Sequence, residues 1–203
     1  QTAGGCAVLQ KALEVADSPE RVALAKLLRG HVLEAAQCAH AHLVLQQCAE
    51  LLPVDCLGAV IQEMRGSASS LARHRYGCRV MEKLIEHCPS WQTEALIEEV
   101  LSGVMQLSRH TFGNFVVQHV LKYGASSQRK RVCDTIRSDV QRLARHRVAS
   151  HVVRCALAYA AEEDRQHLVD ALRADAGKFA ELAHHHCGSF VVREMRRELR
   201  KEA

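Results

Sequence analysis

The sequence has little proline, glycine or aromatic residue: 3 Pro, 11 Gly, 1 Trp, 3 Tyr and 4 Phe in 203 residues. Sandwiches and barrels need many turns and depend on such residues, so this scarcity argues against both classes. Apolar residues make up 48% and charged residues 25%, which is the balance of a folded chain that can bury a sizeable core. We therefore predict an all-α protein.

Long hydrophobic runs are also missing. No stretch of 18 apolar residues free of charge occurs, and residues 1–5 lack a charged segment that leads into an apolar one, so neither membrane insertion nor secretion is expected. The 9 cysteines are an odd number and contain no Cys-x-x-Cys pair or zinc-finger spacing, which favours reduced thiols. We expect a cytoplasmic protein, with the nucleus or nucleolus as alternatives. A net charge of +4 is too mild to hold nucleic acid by diffuse charge alone.

An internal repeat of 36 residues is what the sequence does contain. The segments 73–82, 109–118 and 145–154 superimpose without gaps, and the same frame extends to residues 5–10 and 41–46. After a three-residue insertion it continues at 188–193. A fixed period of this size indicates a solenoid whose units bury their apolar faces against neighbours. The six frame positions are Cys6, His42, Cys78, Asn114, Ser150 and Ser189.

Apolar residues recur at fixed offsets from the frame position and mark the buried stripe of a helix. Valine stands two residues later in every copy, from Val8 to Val191, and an apolar residue stands six later. Leu71, Leu107, Leu143 and Leu182 stand seven residues before the frame position. Between these helices run amphipathic segments at 20–36, 57–71, 94–107, 128–143 and 163–182. Each copy is therefore predicted to be two helices joined by a tight turn, where Arg-His pairs at 73/74, 109/110 and 145/146 cap a helix.

The second helices carry Tyr-Gly-Cys-Arg-Val at 76–80, Phe-Gly-Asn-Phe-Val-Val-Gln-His-Val-Leu at 112–121 and Ala-Ser-His-Val-Val at 149–153. With the two-helix period these motifs resemble the Pumilio (PUF) family of RNA-binding repeats, over nearly the whole chain. The resemblance implies a right-handed α-solenoid and a partial Pumilio homology domain similar to repeats three to eight of the usual eight. The predicted copies are 1–17 (truncated), 18–53, 54–89, 90–125, 126–161 and 162–203.

In this family each second helix presents three side chains to one base. The frame residue and the residue four later contact the Watson–Crick edge, and the residue directly after the frame position stacks on the base plane. The resemblance assigns the base edge to Cys6, Gln10, His42, Gln46, Cys78, Glu82, Asn114, Gln118, Ser150, Arg154, Ser189 and Arg193. It assigns stacking to Leu43, Arg79, Phe115, His151 and Phe190.

Two copies resemble well-defined readers. Asn114 and Gln118 with Phe115 resemble the uracil reader, in which two amides meet the donor and acceptors of the base and the ring stacks. The copy with Cys78 and Glu82 resembles the guanine reader, because a carboxylate accepts from the N1 and N2 donors of guanine; Arg79 would stack through its planar guanidinium. Cys6 and Gln10 resemble the adenine reader, although Ala7 supplies little stacking surface.

The remaining copies depart from the usual pattern. Ser150 with Arg154, and Ser189 with Arg193, have the small-residue and arginine pairing associated in the family with cytosine, whose O2 and N3 atoms accept hydrogen bonds. The usual pattern has Glu and Gln at these arginines, so the common UGUA-type target is not carried over. His42, Leu43 and Gln46 match no known combination, and this copy is left unassigned.

The resemblance implies a sequence-specific binder of single-stranded RNA with the core 5'-CCUGNA-3', because the family binds RNA antiparallel. We expect a protein that binds mRNA 3' untranslated regions, acts on translation or decay through effector proteins on its convex face, and is a monomer. No cofactor, metal or membrane is expected.

Two alternatives remain open. Armadillo, HEAT and TPR arrays use similar grooves for peptides, so the chain could be a protein-interaction scaffold. It could also be a sequence-tolerant nucleolar relative that acts in rRNA processing. An enzyme is not expected: the run His184-His185-His186-Cys187 fans out around a helix instead of converging on a metal, and no phosphate loop or paired carboxylates occur.

Overall fold

A computed structural model describes residues 2–202, and of Glu202 only the backbone. Over these residues the chain forms sixteen α-helices and no strand, which confirms the all-α class. The helices are α1 (Ala3–Val15), α2 (Ser18–Lys26), α3 (Val32–Gln37), α4 (Ala41–Leu51), α5 (Val54–Met64), α6 (Ala68–Arg73), α7 (Gly77–His87), α8 (Ser90–Leu101), α9 (Val104–Arg109), α10 (Gly113–Tyr123), α11 (Ser126–Arg137), α12 (Val140–Arg145), α13 (Ala149–Tyr159), α14 (Glu162–Arg173), α15 (Ala176–His184) and α16 (Gly188–Glu202).

The chain divides into two compact units between Val100 and Leu101. In the first unit α4 packs against α1 and α7, and in the second unit α13 packs against α10 and α16. These six helices are the ones that carry the frame positions. Within each unit the frame-bearing helices therefore lie side by side, as stacking of successive copies requires.

The segments predicted as one helix before each frame-bearing helix are interrupted. In the copies from α2 to α13 a longer helix is followed by a six-residue helix, namely α3, α6, α9 or α12, so each copy has three helices instead of two. In the first unit the interruption contains a glycine in the left-handed region, Gly30 or Gly66, each with φ of 77°. Glycine adopts this conformation without a Cβ clash, so the chain can turn between the two helices there.

Two carboxylates hold these turns in the first unit. Glu63 on α5 accepts hydrogen bonds from the backbone N–H groups of Gly30 at 2.8 Å and Val32 at 3.2 Å. Glu99, 36 residues later on α8, accepts in the same way from Gly66 at 2.6 Å and Ala68 at 2.9 Å. Each carboxylate thereby satisfies N–H groups at the start of a short helix in the preceding copy and links two copies.

The predicted apolar stripe is buried in five of the six copies. Leucine seven residues before the frame position is fully buried in all four cases, and so is the valine two residues after it from the second copy onward. The prediction is wrong for Val8, which is 72% exposed. In the part of the chain that the structure describes, α1 packs mainly against α2 and α4, which leaves its Val8 side uncovered.

The glycines that begin α7 and α10 lie very close to the leucine six residues earlier in the chain. A Cβ added to Gly77 would lie 2.8 Å from the carbonyl oxygen of Leu71, and one added to Gly113 would lie 2.8 Å from Cδ2 of Leu107. Such contacts are too short for a methyl group, so glycine permits this packing. The leucine thus fixes where the helix that carries the frame residue begins.

Candidate nucleic-acid interface

One imidazole caps the start of each frame-bearing helix from the third copy onward. Nδ1 of His74 accepts from the N–H groups of Tyr76 and Gly77, each at 3.2 Å. The same pair of bonds is made by His110, His146 and His185 in the later copies. The predicted capping role of the Arg-His pairs is confirmed for the histidine. Because the cap lies four residues before the frame position, it sets the first turn on which the reader residue lies.

In the first unit, the carboxylate of Glu82 is buried and half satisfied. The residue is 7% exposed, and Oε2 lies 2.9 Å from Nη1 of Arg79 in an ion pair. Oε1 is buried and has no hydrogen-bond partner. Burial, reinforced by the Glu82 charge, raises the pKa of the Cys78 thiol to about 11. The three predicted residues of this copy therefore lie together, and one buried carboxylate oxygen has no hydrogen-bond partner.

The frame residue of the preceding copy, His42, is also held in place. Nδ1 lies 2.9 Å from the carbonyl oxygen of Cys38, and the ring stacks on Tyr76 with centroids 4.6 Å apart and planes at 27°. Leu43 is 41% exposed beside it, and Gln46 is partly exposed. Tyr76 was not among the predicted site residues. In the sequence it stands out only by its position two residues before a frame position. Its contact with His42 joins two copies, and the 36-residue period does not predict that contact.

The first copy supplies less. Cys6 is buried, Gln10 is partly exposed, and Ala7 is exposed at the stacking position. The two predicted base-edge residues share one helix, α1, at the spacing that places them on one face.

In the second unit, the amides of Asn114 and Gln118 are bonded to each other. Nε2 of Gln118 donates to Oδ1 of Asn114 at 2.9 Å, and Nδ2 of Asn114 donates to the carbonyl oxygens of His110 and Thr111, both at 2.9 Å. Asn114 is 3% exposed, whereas Phe115 is 37% exposed. A donor of Asn114 must therefore be released before it can bond to a base.

An open cleft of about 420 Å³ runs along this reader between α10 and α13. Its walls are Thr111, Asn114, Phe115, Gln118, Arg147, Val148 and His151. The edge residues of one copy and the stacking residues of two successive copies thus face one space. Arg147 is a lining residue that the sequence did not predict, and its only signal is its position three residues before Ser150.

The two arginines predicted to contact bases lie near one ring, and one of them also pairs with a carboxylate. The guanidinium of Arg193 lies 4.4 Å from the ring centroid of Phe190, and that of Arg154 lies 5.9 Å from the same ring. Nη2 of Arg154 also pairs with the buried Glu194 at 3.4 Å, while its Nε is buried without a partner. Ser150 and Ser189 donate to backbone carbonyls at 3.5 and 3.3 Å. Glu194 was not predicted; it lies five residues past Ser189 on α16.

Among residues 2–202, no group of three His, Cys, Asp or Glu residues could hold a metal ion. Burial raises the pKa of Cys48, Cys133 and Cys155 to about 12, with a carboxylate adding to the effect at Cys133 and Cys155, which disfavours the thiolate that a nucleophile needs. In the described part of the chain, no helix is both long and apolar enough to span a bilayer.

Comparison with known proteins agrees with this geometry. The model of the Pumilio-family RNA binding repeat matches residues 5–28, 68–101, 103–137 and 139–173, well over half of the chain. Comparison with curated protein sequences gives no match.

Three solved structures of similar fold are described as RNA complexes. PUF-8 in complex with PBE-RNA is 24% identical, with a TM-score of 0.88 over 96% of this chain and 61% of that one. The Puf4 RNA-binding domain bound to the HO endonuclease RNA 3' UTR recognition sequence is 20% identical, with a TM-score of 0.89 over 98% and 61%. The yeast Puf5p RNA-binding domain bound to SMX2 RNA is 17% identical, with a TM-score of 0.81 over 95% and 55%. The chain thus spans about three fifths of these relatives or less.

Within each unit, frame-bearing helices that pack side by side and recur every 36 to 39 residues define a helical repeat protein. The chain belongs to the Pumilio family of RNA-binding repeats.

Proposed function

We propose that the chain binds single-stranded RNA in a sequence-specific manner, with one base for each copy. The observation that carries this proposal is the buried, unpartnered Oε1 of Glu82. A buried acceptor without a donor costs stability, and such an atom in a native fold is explained when a ligand supplies the donor. Guanine presents two adjacent donors, N1–H and N2–H, that fit the two oxygens of one carboxylate.

Arg79 gives this site a way to exchange partners. In the free protein its guanidinium pairs with Oε2 of Glu82 at 2.9 Å, and its side chain is 46% exposed. The arginine end of this pair is exposed and the Glu82 end is buried, so the pair can open at small cost only when other donors take the place of the arginine at the carboxylate. The freed guanidinium can stack on the base while guanine takes its place at the carboxylate.

The finer target follows from the other copies. We propose the core 5'-CCUGNA-3', with uracil at Asn114 and Gln118 and cytosine at the two serine-arginine copies. The cleft beside Asn114 and Gln118 and the ring of Phe190 beside the two arginines support one base for each of these copies, and the similar Puf4 RNA-binding domain is bound to a 3' UTR recognition sequence. We further propose that the whole protein is a cytoplasmic monomer that regulates mRNA translation or stability through effector proteins.

The test is Glu82→Gln, measured with RNA hexamers that vary only at the fourth base. An amide offers one donor and one acceptor in place of two acceptors, so preference should move from G towards A. The G-containing RNA should bind roughly tenfold more weakly, the equivalent of one hydrogen bond of about 1.4 kcal/mol. Glu86→Gln, one helical turn later on α7 and outside the base-edge set, is the matched control and should leave the preference unchanged.

Two results would contradict the proposal. If the unmodified protein binds all four RNAs equally and its affinity falls steeply with salt, the chain is a sequence-tolerant binder held by phosphate contacts. If it binds none of them, the protein-scaffold alternative is favoured.

A further inference from the structure

The copy centred on His42 has a frame residue whose hydrogen-bonding character is fixed by its surroundings. The carbonyl oxygen of Cys38, 2.9 Å away, accepts from Nδ1, so Nδ1 carries the proton of the neutral ring. Tyr76 stacks on the imidazole and holds its plane. A ring fixed in both tautomer and plane presents a defined atom to a ligand.

That atom is Nε2. Among residues 2–202 it has no hydrogen-bond partner, and it is not one of the fully buried polar atoms that lack one. Burial of the ring lowers the pKa of His42 below its ordinary value, although backbone hydrogen bonds oppose the shift, so the imidazole is neutral at neutral pH. Nε2 of this tautomer is therefore a hydrogen-bond acceptor.

Gln46 completes the polar set one helical turn later. Its amide has no hydrogen-bond partner in the described chain, and its side chain is partly exposed on the same face of α4. Against the edge of a base, this amide can present one acceptor and one donor side by side. Together His42 and Gln46 offer two acceptors and one donor to whatever lies between α4 and α7.

Only one base complements this set completely. The Watson–Crick edge of guanine has one acceptor, O6, and two donors, N1–H and N2–H. Uracil and cytosine each present one donor and two acceptors, so one protein acceptor would face a base acceptor. Adenine presents one donor and one acceptor and leaves the imidazole unpartnered, which loses a hydrogen bond in a partly desolvated site.

We propose that His42 and Gln46 read guanine, so that the unassigned base of the core becomes G and the target becomes 5'-CCUGGA-3'. This inference rests on the proposed RNA-binding function and deepens it at one copy. It makes His42 a specificity-determining residue and Tyr76 its positioning residue.

The test measures binding of four hexamers, 5'-CCUGNA-3' with N as A, C, G or U, by fluorescence polarisation. The RNA with G at N should bind most tightly, about tenfold more tightly than the RNA with the next preferred base at N. This is the ratio that one hydrogen bond supplies. A different preferred base, or equal binding of all four, overturns the inference.

His42→Asn sharpens the test because it reproduces at this copy the amide pair of Asn114 and Gln118. Preference at N should then move from G to U. His40→Asn is the matched control, since the same substitution two residues earlier lies at the exposed start of α4 and should leave preference for G intact. If His42→Asn does not fold, the measurement on the unmodified protein alone decides.

Failure here is separable from failure of RNA reading as a whole. If the base opposite Glu82 still selects G while N shows no preference, the inference about His42 is wrong and the proposed function stands. If neither position selects a base, the proposed function itself is wrong.

Discussion

The two units carry the same scaffold but opposite hydrogen-bonding chemistry on their reader helices. In the first unit the buried carboxylate of Glu82 and the imidazole of His42 present acceptors. In the second unit Arg154 and Arg193 present donors, and two amides present both. Acceptors favour the N1 and N2 donors of guanine, while arginine favours the O2 and N3 acceptors of cytosine. If the proposed base assignments hold, the comparison teaches that one helix frame reads purines in one unit and pyrimidines in the other through the two side chains that differ from copy to copy.

The units also differ in the residues at the predicted stacking positions. The stacking positions of the first unit are Ala7, Leu43 and Arg79, and none of them is aromatic. Those of the second unit are Phe115, His151 and Phe190, all rings. Ring stacking contributes affinity with little sequence preference. The second unit is therefore expected to supply most of the affinity, and the first unit a larger share of the purine selectivity.

The largest expected effect tests this division. Phe115→Ala should weaken RNA binding by about 1–3 kcal/mol, the usual contribution of one base stacked on an aromatic ring. Leu43→Ala at the matching position of the first unit should have a much smaller effect. Titrations of labelled 5'-CCUGGA-3' measure both.

Tyr123→Ala is the control for Phe115→Ala, because Tyr123 is an exposed aromatic at the end of the same helix, α10, away from the stacking position. It should retain normal affinity. Equal losses for Phe115→Ala and Leu43→Ala would break the comparison between the units.

An intermediate effect is expected from Arg154→Gln. The substitution replaces a side chain that only donates hydrogen bonds, so that Ser150 and the new glutamine form a small-residue and glutamine pair like Cys6 and Gln10. Preference at the second base should move from C to A, with a loss of about 1.4 kcal/mol, or tenfold, for the C-containing RNA. Competition binding with RNAs that vary at that base measures the shift. Arg196→Gln, an exposed arginine on α16, should leave the preference unchanged. Retained selection of C by Arg154→Gln would show that the arginine does not read the base.

The smallest expected effect is a loss of stability at acid pH, caused by the histidine that caps the start of α13 in the second unit. Nδ1 of His146 accepts from two N–H groups at 3.1 and 3.2 Å, and burial, with Arg109 and Arg147 nearby, lowers its pKa below the ordinary 6.5. A lowered folded-state pKa means that this contribution to stability is complete above the unfolded pKa and is lost as the pH falls through the folded one. The urea concentration at the unfolding midpoint should therefore decrease as the pH is lowered from 7.5 to 5.

His146→Asn isolates this residue, because an amide oxygen can accept from the same N–H groups without titrating. The midpoint of that variant should change less over the same pH interval. An identical pH dependence in both proteins would place the acid sensitivity elsewhere in the chain.

Much of the fold follows from the sequence because it rests on short-range, periodic chemistry. The leucine seven residues before each frame position and the valine two residues after it obey one helical period, and from the second copy onward they are buried as predicted. The interruption that creates α3 and α6 was less visible. It depends on Gly30 and Gly66 and on carboxylates from the next copy, whose signal is the 36-residue spacing of Glu63 and Glu99.

The candidate site, like the fold, was predictable from the sequence only in part. The residue types and the spacing within one helix place Cys78 with Glu82, and Asn114 with Gln118, on one face. The sequence does not contain the contacts between helices, such as Tyr76 on His42 or Glu194 at Arg154. Such contacts depend on rotamers and on the distance between neighbouring helices, which no repeat period specifies.

The mutual bonding of Asn114 and Gln118 has a consequence for the rate of recognition. In the free protein Gln118 donates to Asn114, and both donors of Asn114 are committed to the backbone. Under the proposed assignment, a uracil that binds at α10 therefore exchanges one set of bonds for another instead of filling an empty site. Much of the enthalpy of the new bonds is offset, and the step that opens the amide pair can limit how quickly this copy engages a passing strand.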